Sequence, residues 1–335
     1  MKGLYKVLVL TDHSGHSVHN SLYAILTQLR LHRQCDSIYV ASRGVAQNAS
    51  FFQDMEAEKL QACLVEEGFE YTEAGDHFKT NLKKVDVTDY NLVLMRLPRP
   101  VSDEFLSWLN HIFSHSVIIN NPEGIIKTST KEFLLNFPDL CPHIRLCRSV
   151  EDIREEIAKF PIVLKPLKEY GGRGLLKMDE STVDDGNEEY DLEVFLEAMQ
   201  EDFEEEGYLS MKFLKNVDQG DKRILVVGDE ILAASLRIPA KDSWLCNVAQ
   251  GGKSIAADIT EEERDIVKAI SPGLMKEGVL IYGVDTLVND NGLRTLSEIN
   301  TLSIGGFPQA ERQTGKPVIK MLIDKIFEYA DARKR

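Results

Sequence analysis

Short apolar runs alternate with amphipathic patterns through the first part of the chain. Runs typical of buried strands lie at 7–10, 38–40, 92–94 and 117–119. After the first run, apolar residues recur at helical spacing behind two capping candidates: Leu22, Ile25, Leu26 and Leu29 follow Ser17 and Asn20. This alternation predicts a parallel sheet covered by helices. Ligands of such sheets bind beyond the carboxyl ends of the strands, which here are 12–19, Arg96 and 120–121.

The pattern changes after Pro122. Two apolar runs, 162–164 and 174–177, flank a glycine-rich turn and predict a pair of strands. The acidic segment 179–206 is typical of a solvated helix face with a loop, and we assign it no chemistry.

From Tyr208 onward the pattern predicts antiparallel strands. They lie near 208–214, 222–227 and 230–237, with a hairpin that turns at Gly228 and Asp229. A helix is predicted to begin at Thr260, which forms a capping-box pattern with Glu263, and to end before Gly278.

A second hairpin is predicted near the C-terminus. Its strands are 279–288 and 293–300, and Asn291-Gly292 is the preferred sequence of a two-residue type I′ loop. With this loop, Asp290 pairs with Leu293.

The register of this hairpin brings three oxygen-bearing side chains to one face. It places Asp285 opposite Glu298, and Asn300 projects from the same face two residues further on. Two carboxylates held this closely repel each other, and a divalent cation such as magnesium removes the conflict. Two alternatives remain open: one carboxylate points into solvent, or the loop is Asp290-Asn291 and the register slips.

A glycine-rich turn and several cations are candidates for phosphate binding. The backbone N–H groups of Gly171 and Gly172 could fold over phosphates. Lys165 follows an almost wholly apolar strand, where a buried lysine requires an anionic partner. Further cations lie near the ends of predicted elements, and each could instead be an exposed side chain or part of a structural ion pair: Lys131, Arg223 and Arg237.

Segment 250–254 imitates the end of a phosphate-binding loop. The motif requires glycine at position 247, which is Asn247, and no strand–loop–helix context follows. We therefore reject this motif.

The composition limits the class of protein. The chain has 335 residues, 43% of them hydrophobic and 28% charged, which predicts two or three globular domains. A formal net charge of -15 argues against nucleic acid as a partner. The five cysteines contain no CxxC pair, and no apolar window is long enough for a signal peptide or a membrane span. We expect a cytoplasmic protein without membrane partners.

The order of these motifs resembles the ATP-grasp superfamily and is most similar to bacterial glutathione synthetase. The resemblance runs from about residue 90 to the end and is carried by 94–96, 121–122, Lys131, 164–167 with Gly171 and Gly172, 220–223, 237–239, Asn247 with Gly251 and Gly252, 283–285 and 298–300. It implies an α/β and α+β ATP-grasp fold with three domains. These are a Rossmann-like parallel-sheet substrate domain at 1–121, a small lid domain at 122–206 and an antiparallel-sheet catalytic domain at 207–335.

The resemblance also implies an activity and its site. The family phosphorylates a carboxylate with ATP and joins the acyl phosphate to an amine, which for glutathione synthetase means γ-glutamylcysteine and glycine. ATP contacts would come from Lys131, Lys165, Gly171, Gly172, Met211, Lys212, Phe213, Leu214, Arg223 and Asn247. Arg223 and Arg237 would stabilise the transferred phosphoryl group, and the substrate would contact Arg96, Arg237, Ser303, Gly305 and Gly306. Asp285, Glu298 and Asn300 would hold two Mg²⁺ ions, which Mn²⁺ could replace, and relatives suggest a homo-oligomer.

Three departures from the family pattern bear on the substrates. Leu245 stands in a predicted mobile loop, 238–246, where the family has an arginine, Lys212 replaces a neutral or acidic residue at the ribose, and 301–305 differs from the usual sequence. Two other functions therefore stay open. One is an ATP-grasp ligase with a different acid and amine, and the other is a nucleotide-binding regulatory protein that has lost catalysis.

Three histidines at intervals of three invite comparison with a metal site. His13, His16 and His19 span too wide an arc for one regular helix. In a loop between a strand and a helix, they are more typical of residues that bind substrate groups or water.

Overall fold

The computed structural model describes residues 4–56, 58–169, 171–200, 207–239, 244–245 and 253–333. The described strands are β1 Tyr5–Thr11, β2 Cys35–Ser42, β3 Lys59–Leu64, β4 Lys83–Asp86, β5 Leu92–Arg96, β6 Val117–Ile119, β7 Ile144–Cys147, β8 Ile162–Pro166, β9 Leu176–Met178, β10 Thr182–Asp184, β11 Glu189–Asp191, β12 Tyr208–Lys212, β13 Asp221–Val227, β14 Glu230–Ile238, β15 Lys253–Ala256, β16 Ile281–Val288 and β17 Arg294–Asn300. The described α-helices are α1 Ser21–Leu31, α2 Ala49–Phe52, α3 Asp103–Ile112, α4 Pro122–Thr128, α5 Val150–Ile157, α6 Leu192–Ala198, α7 Glu261–Lys276, α8 Phe307–Thr314 and α9 Val318–Asp331.

The N-terminal sheet has the order β4-β3-β2-β1-β5-β6. Strands β2, β1, β5 and β6 are parallel, as predicted, whereas β3 and β4 add an antiparallel extension that the apolar pattern did not indicate. The central strand β1 is buried on both faces, which explains its continuous apolar run. Thr11 pairs with Arg96, so the carboxyl ends of β1 and β5 lie side by side.

Helix α1 covers one face of this sheet. Asn20 caps it by accepting a hydrogen bond from the Leu22 amide, so the capping residue is Asn20 and not Ser17. The four predicted apolar positions are all buried: Leu22, Ile25, Leu26 and Leu29.

The second sheet has the order β11-β10-β9-β8-β12-β7 and encloses a separate apolar core. The acidic segment was predicted as helix and loop, but it also contributes β10 and β11, and Asp191 caps α6. Strand β12, predicted as part of the C-terminal domain, pairs with β8 and β7 in this sheet. The three domain boundaries themselves stay a prediction.

The third sheet has the order β15-β14-β13-β16-β17 and is antiparallel. The β13–β14 hairpin turns at Gly228, which has φ of 65°, as predicted. Helix α7 begins with the predicted capping box of Thr260 and Glu263 and ends at Lys276, and Gly278 follows with φ of 77°. Among the described residues, no helix is long and apolar enough to cross a membrane.

One buried amide joins the first sheet to the third. Asn120, which follows β6, donates from Nδ2 to the carbonyls of Ile281 (2.6 Å) and Thr301 (2.7 Å). Its Oδ1 accepts from the amides of Leu280 (2.9 Å) and Ile281 (2.8 Å). The side chain thus uses both donors and both acceptor positions on the backbone beside β16.

Replacing Asn120 by alanine should destabilise the protein. The change leaves two buried N–H groups and two buried carbonyls without these partners, which costs about 3 kcal/mol of unfolding free energy. Urea unfolding followed by circular dichroism would measure the loss. Asn187→Ala, at an exposed position, is the matched control and should change stability by less than about 0.5 kcal/mol. Equal stability of the two variants would contradict the role of Asn120.

Candidate active site

The predicted pairing of Asp285 with Glu298 is confirmed, but the turn that connects their strands differs from the prediction. Asn289 pairs with Leu293 across a three-residue loop, in which Gly292 has φ of 83° and donates to the Asn289 carbonyl (2.9 Å). The predicted register is therefore wrong by one residue at the turn.

A β-bulge restores the register. Thr286 pairs with Leu296 and Asp285 pairs with Glu298, so Ser297 is an extra residue on β17. The Asp285 side chain is buried and Glu298 is half-buried, so neither lies fully in solvent.

The bulge gives Lys165 its hydrogen-bond partners. Lys165 lies on β8 of the second sheet, and its Nζ donates to the carbonyl (3.1 Å) and hydroxyl (3.2 Å) of Ser297. Burial lowers the pKa of Lys165, while the charge of Glu298 acts in the opposite direction. Among the described residues no carboxylate forms an ion pair with this lysine, so its charge is available to an anionic ligand.

Lys131 is buried beside it. It begins a 3₁₀-helix, Lys131–Asn136, and its ammonium donates to the backbone carbonyl of Glu169. Burial lowers the pKa of Lys131 to about 8, although the charge of Glu298 opposes the change. The open alternative of an exposed surface lysine is therefore wrong.

A row of charged residues crosses the third sheet. Two pairs of opposite charge face each other on neighbouring strands, Asp221 with Arg237 and Arg223 with Asp285. On the next strand, Asp285 faces a second acid, Glu298. Arg223 binds Asp285 with two N–H groups, and Arg237 binds Asp221 with two while also lying 2.9 Å from Asp285 Oδ2. The two arginines thus neutralise two buried acids.

These contacts separate the pKa values of the two aspartates. Burial would raise the pKa of Asp285, but Arg223 and Arg237 outweigh it and lower the pKa to about 2. Burial, with the nearby charge of Asp285, raises the pKa of Asp221 to about 6 despite Arg237. Asp285 is therefore ionised throughout the physiological range.

The three predicted metal ligands lie close together, since Asp285 faces Glu298 and contacts Asn300. Asn300 donates from Nδ2 to Asp285 Oδ2 (3.3 Å), so the amide lies against the acid pair. In the described part of the chain Glu298 forms no ion pair, and no cluster holds three or more His, Cys, Asp or Glu side chains suited to a metal. Two carboxylates and an amide suit magnesium, which keeps several water and phosphate ligands, better than a metal that needs a full protein cage.

A pocket of about 800 Å³ opens beside Glu298. Most of the predicted nucleotide residues line it: Lys131, Lys165, Gly171, Gly172, Met211, Lys212, Phe213 and Leu214. Gly171 and Gly172 have φ of 72° and 80°, a backbone that favours glycine. Lys212 pairs with Asp290 across 2.6 Å. Asn247, with Gly251 and Gly252, lies outside the described residues.

Further apolar residues that the sequence did not single out complete this pocket. They include Val163, Leu175, Val217, Trp244 and Leu287. An apolar residue carries no signal in the sequence that distinguishes a pocket wall from a core position, so the pattern could not identify them.

Leu245 lies on the wall of the same pocket. It is buried, and a Cβ atom added to Gly186, which has φ of 89°, would lie only 2.6 Å from its Cδ1. The neighbouring Trp244 meets the ring of Phe213 edge-on at 6.5 Å. The residue in place of the family arginine therefore adds apolar surface to this pocket.

Four of the five predicted substrate residues lie where the first sheet meets the loop after β17, whereas the fifth, Arg237, lies on β14 of the third sheet. Arg96 and Ser303 line one small cavity, and Ser303 donates from Oγ to the Leu97 carbonyl (2.6 Å). Gly305 and Gly306 follow outside that cavity, and the Gly306 amide donates to Ser21 Oγ (3.0 Å).

Arg96 is a cation without a counter-ion. Burial lowers its pKa to about 10, and among the described residues no carboxylate pairs with it. A half-buried guanidinium without a carboxylate partner attracts an anion.

The three histidines do not form a metal cluster. His13 stacks on Phe78 at 4.3 Å, His16 contacts Thr11 and Tyr23, and His19 is exposed.

Comparison of the sequence with known proteins identifies a matching family and several relatives. Residues 130–315, more than half of the chain, match the family model described as prokaryotic glutathione synthetase, ATP-grasp domain. A glutathione synthetase of Agrobacterium fabrum is 29% identical over 266 residues, which cover 77% of this chain and 79% of the relative.

Solved structures share the fold at low identity. A D-cycloserine synthetase, DcsG, aligns with a TM-score of 0.66 at 11% identity over 97% of this chain and 99% of its own. The ATP-grasp ligase PsnB, solved with a minimal precursor, Mg and ADP, aligns with a TM-score of 0.57 at 14% identity over 97% and 98%. The predicted ATP-grasp fold is confirmed.

The lowered pKa of Lys131 predicts a pH dependence of nucleotide binding. If Lys131 contacts a phosphate as predicted, its protonated form binds the nucleotide, so ADP affinity should be constant well below pH 8. Above pH 8 the free lysine loses its proton, and the Kd for ADP should rise by up to about tenfold per pH unit until the higher pKa of the complex is passed. Calorimetric titration between pH 7 and 9.5 would measure this change.

Lys131→Arg is the control for this prediction. Arginine stays protonated over the whole range, so the dependence on pH should become shallower. An unchanged slope in this variant would show that another group titrates.

Proposed function

Because the chain belongs to the prokaryotic glutathione synthetase family, whose ATP-grasp domain it matches over residues 130–315, we propose that it joins γ-glutamylcysteine to glycine with consumption of ATP. The protein is an ATP-dependent ligase. It uses a divalent metal and acts on small-molecule substrates.

One observation carries the proposal more than any other. Lys131 and Lys165 reach the same pocket as Glu298 from separate elements, and within the described ranges the Lys165 ammonium forms no ion pair with a carboxylate. Buried ammonium groups in an open pocket require anionic ligands, and the phosphates of ATP supply them.

Each part of the pocket has a role in holding ATP. Lys131 and Lys165 contact the phosphates, and the backbone of Gly171 and Gly172 closes over them. The segment 211–214 supplies backbone groups and apolar surface to the adenine ring. Phosphoryl transfer depends mainly on this positioning and on charge neutralisation.

Asp285, Glu298 and Asn300 would hold Mg²⁺, with two ions in all, which Mn²⁺ could replace. Bound there, the metal would neutralise negative charge on the phosphate oxygens during transfer. Glu298 is the ligand most directly available, because Asp285 already contacts two guanidinium groups.

The arginines and the Arg96 cavity act on the acid substrate. Arg96 binds a carboxylate of the substrate near Ser303, Gly305 and Gly306, while Arg223 and Arg237 stabilise the transferred group. An oxygen of the reacting carboxylate attacks the γ-phosphorus, and ADP leaves. The amine then attacks the carbonyl of the acyl phosphate, loses a proton and releases inorganic phosphate.

A ligase with another acid and amine is the second candidate. Leu245 favours it, since an apolar side chain lies in the pocket wall where the family has a cation. The ATP half of the site is compatible with both candidates.

Phosphate release with purified protein, ATP and magnesium tests the proposal. Turnover should require γ-glutamylcysteine and glycine together, and omission of either should abolish it. ATP binding without turnover for this pair, but with turnover for another acid and amine, would establish the second candidate. ATP binding without turnover for any pair in a broad panel of acids and amines would instead support a nucleotide-binding regulatory protein.

Glu298→Gln should reduce kcat by at least about a hundredfold, because it removes one carboxylate ligand of the metal while preserving side-chain size. Circular dichroism should be unchanged. Glu261→Gln, on the exposed first turn of α7, is the matched control and should keep normal turnover. Near-normal turnover of Glu298→Gln would refute the role of this residue.

A further inference from the structure

A hydrogen bond fixes the end of β5 from which Arg96 projects. Thr11, the last residue of β1, is fully buried, and its hydroxyl donates to the backbone carbonyl of Arg96 (3.2 Å). The same oxygen lies 3.1 Å from His16 Nε2. Since a hydroxyl has one proton, and Thr11 uses it on Arg96, His16 must donate from Nε2.

The other ring nitrogen of His16 has a matching partner. With hydrogen on Nε2, the neutral ring accepts at Nδ1, which lies 2.9 Å from the Tyr23 hydroxyl. Burial raises the pKa of Tyr23 to about 12, so this hydroxyl keeps its proton and donates. Tyr23 is in turn packed against Phe69 and Tyr71, with ring centres 6.3 and 5.7 Å away.

The four groups therefore form a chain with one direction. Tyr23 donates to His16, His16 donates to Thr11, and Thr11 donates to the carbonyl of Arg96. Reversing the His16 tautomer alone would turn Nδ1–H toward the donating Tyr23 hydroxyl and would leave Nε2 and the Thr11 oxygen without a hydrogen between them.

The surrounding charges favour the neutral ring. Burial first, and then the nearby His13 and Arg96, lower the pKa of His16 to about 4, while Asp12 acts in the opposite direction. Asp12 is paired with Arg43 at 2.8 Å, and His13 contacts Ser42.

We propose that His16 is a positioning residue of the acid-substrate site. Its Nε2–H donor holds Thr11, and through Thr11 the end of β5 that presents Arg96 to a carboxylate of the substrate. This inference rests on the proposed function for the role of Arg96 and for the identity of the substrate, whereas the direction of the hydrogen-bond chain is a property of the folded protein alone.

NMR of the full-length protein labelled with ¹⁵N in its histidine rings tests the chain without any substrate. His16, identified by the signal missing from His16→Gln, should carry hydrogen on Nε2 and none on Nδ1 at pH 7. It should not titrate above pH 5.5. Tyr23→Phe removes the donor that only the neutral ring can accept, and should raise the titration midpoint by about one pH unit. A ring protonated at Nδ1, or a midpoint unaffected by Tyr23→Phe, would overturn the proposal.

Steady-state kinetics tests the positioning role. His16→Ala and Thr11→Val should each raise KM for the acid substrate by roughly tenfold, the value of about one well-made hydrogen bond. The values of kcat and of KM for ATP should change less than about twofold. The double variant should be no worse than either single one, because the two residues act in one chain.

Two further variants separate positioning from general damage. His16→Gln can place its amide N–H near the position of Nε2 and should restore much of the lost affinity. His111→Ala, at an exposed position on α3, should behave as wild type. Equal KM values in His16→Ala and wild type would refute the role. If the wild-type protein turns over no pair of acid and amine, the proposed function fails. The NMR experiment still shows whether the hydrogen bonds run from Tyr23 through His16 to Thr11.

Discussion

The burial of Asp285 is the constraint on which the rest of the site depends. A carboxylate with 2% exposure is tolerated only if cations meet it, and here Arg223 and Arg237 both do. The strand order of the third sheet makes this possible, because β13 lies between β14 and β16 and brings residues from distant parts of the chain into direct opposition. The order of the strands in the third sheet therefore determines which charges meet in the site.

Much of this arrangement could be predicted from the sequence. The pairing of Asp285 with Glu298 was predicted correctly, but only because two errors in the predicted hairpin cancel. The prediction paired Asp285 with Glu298 by assuming a two-residue turn. The molecule instead uses a three-residue turn and then a bulge at Ser297, and the two differences cancel. A bulge has no reliable signature in one sequence, because Ser297 is held by Lys165 from another sheet.

Other misses have similar causes. Strands β4 and β11 are short and carry charged or exposed residues, so no apolar alternation marks them. The prediction recognised β12 as a strand but could not identify its neighbours, since pairing partners are set by tertiary contacts. Burial of Lys131 and the absence of an acid beside Arg96 likewise depend on packing between elements distant in sequence.

The amide of Asn120 has a consequence for motion. Four short hydrogen bonds tie the first sheet to the third, whereas the second sheet contacts the β16–β17 hairpin through the bonds from Lys165 to Ser297 and through the Lys212–Asp290 ion pair. We expect the first and third sheets to behave as one rigid body and the second to rotate about a hinge. Rotation of the second sheet away from the third must break the hydrogen bonds from Lys165 to Ser297. A nucleotide whose phosphates bind Lys165 more strongly than Ser297 does therefore changes the angle between the second sheet and the other two. Small-angle scattering with and without ADP would detect that rotation, and identical profiles would exclude it.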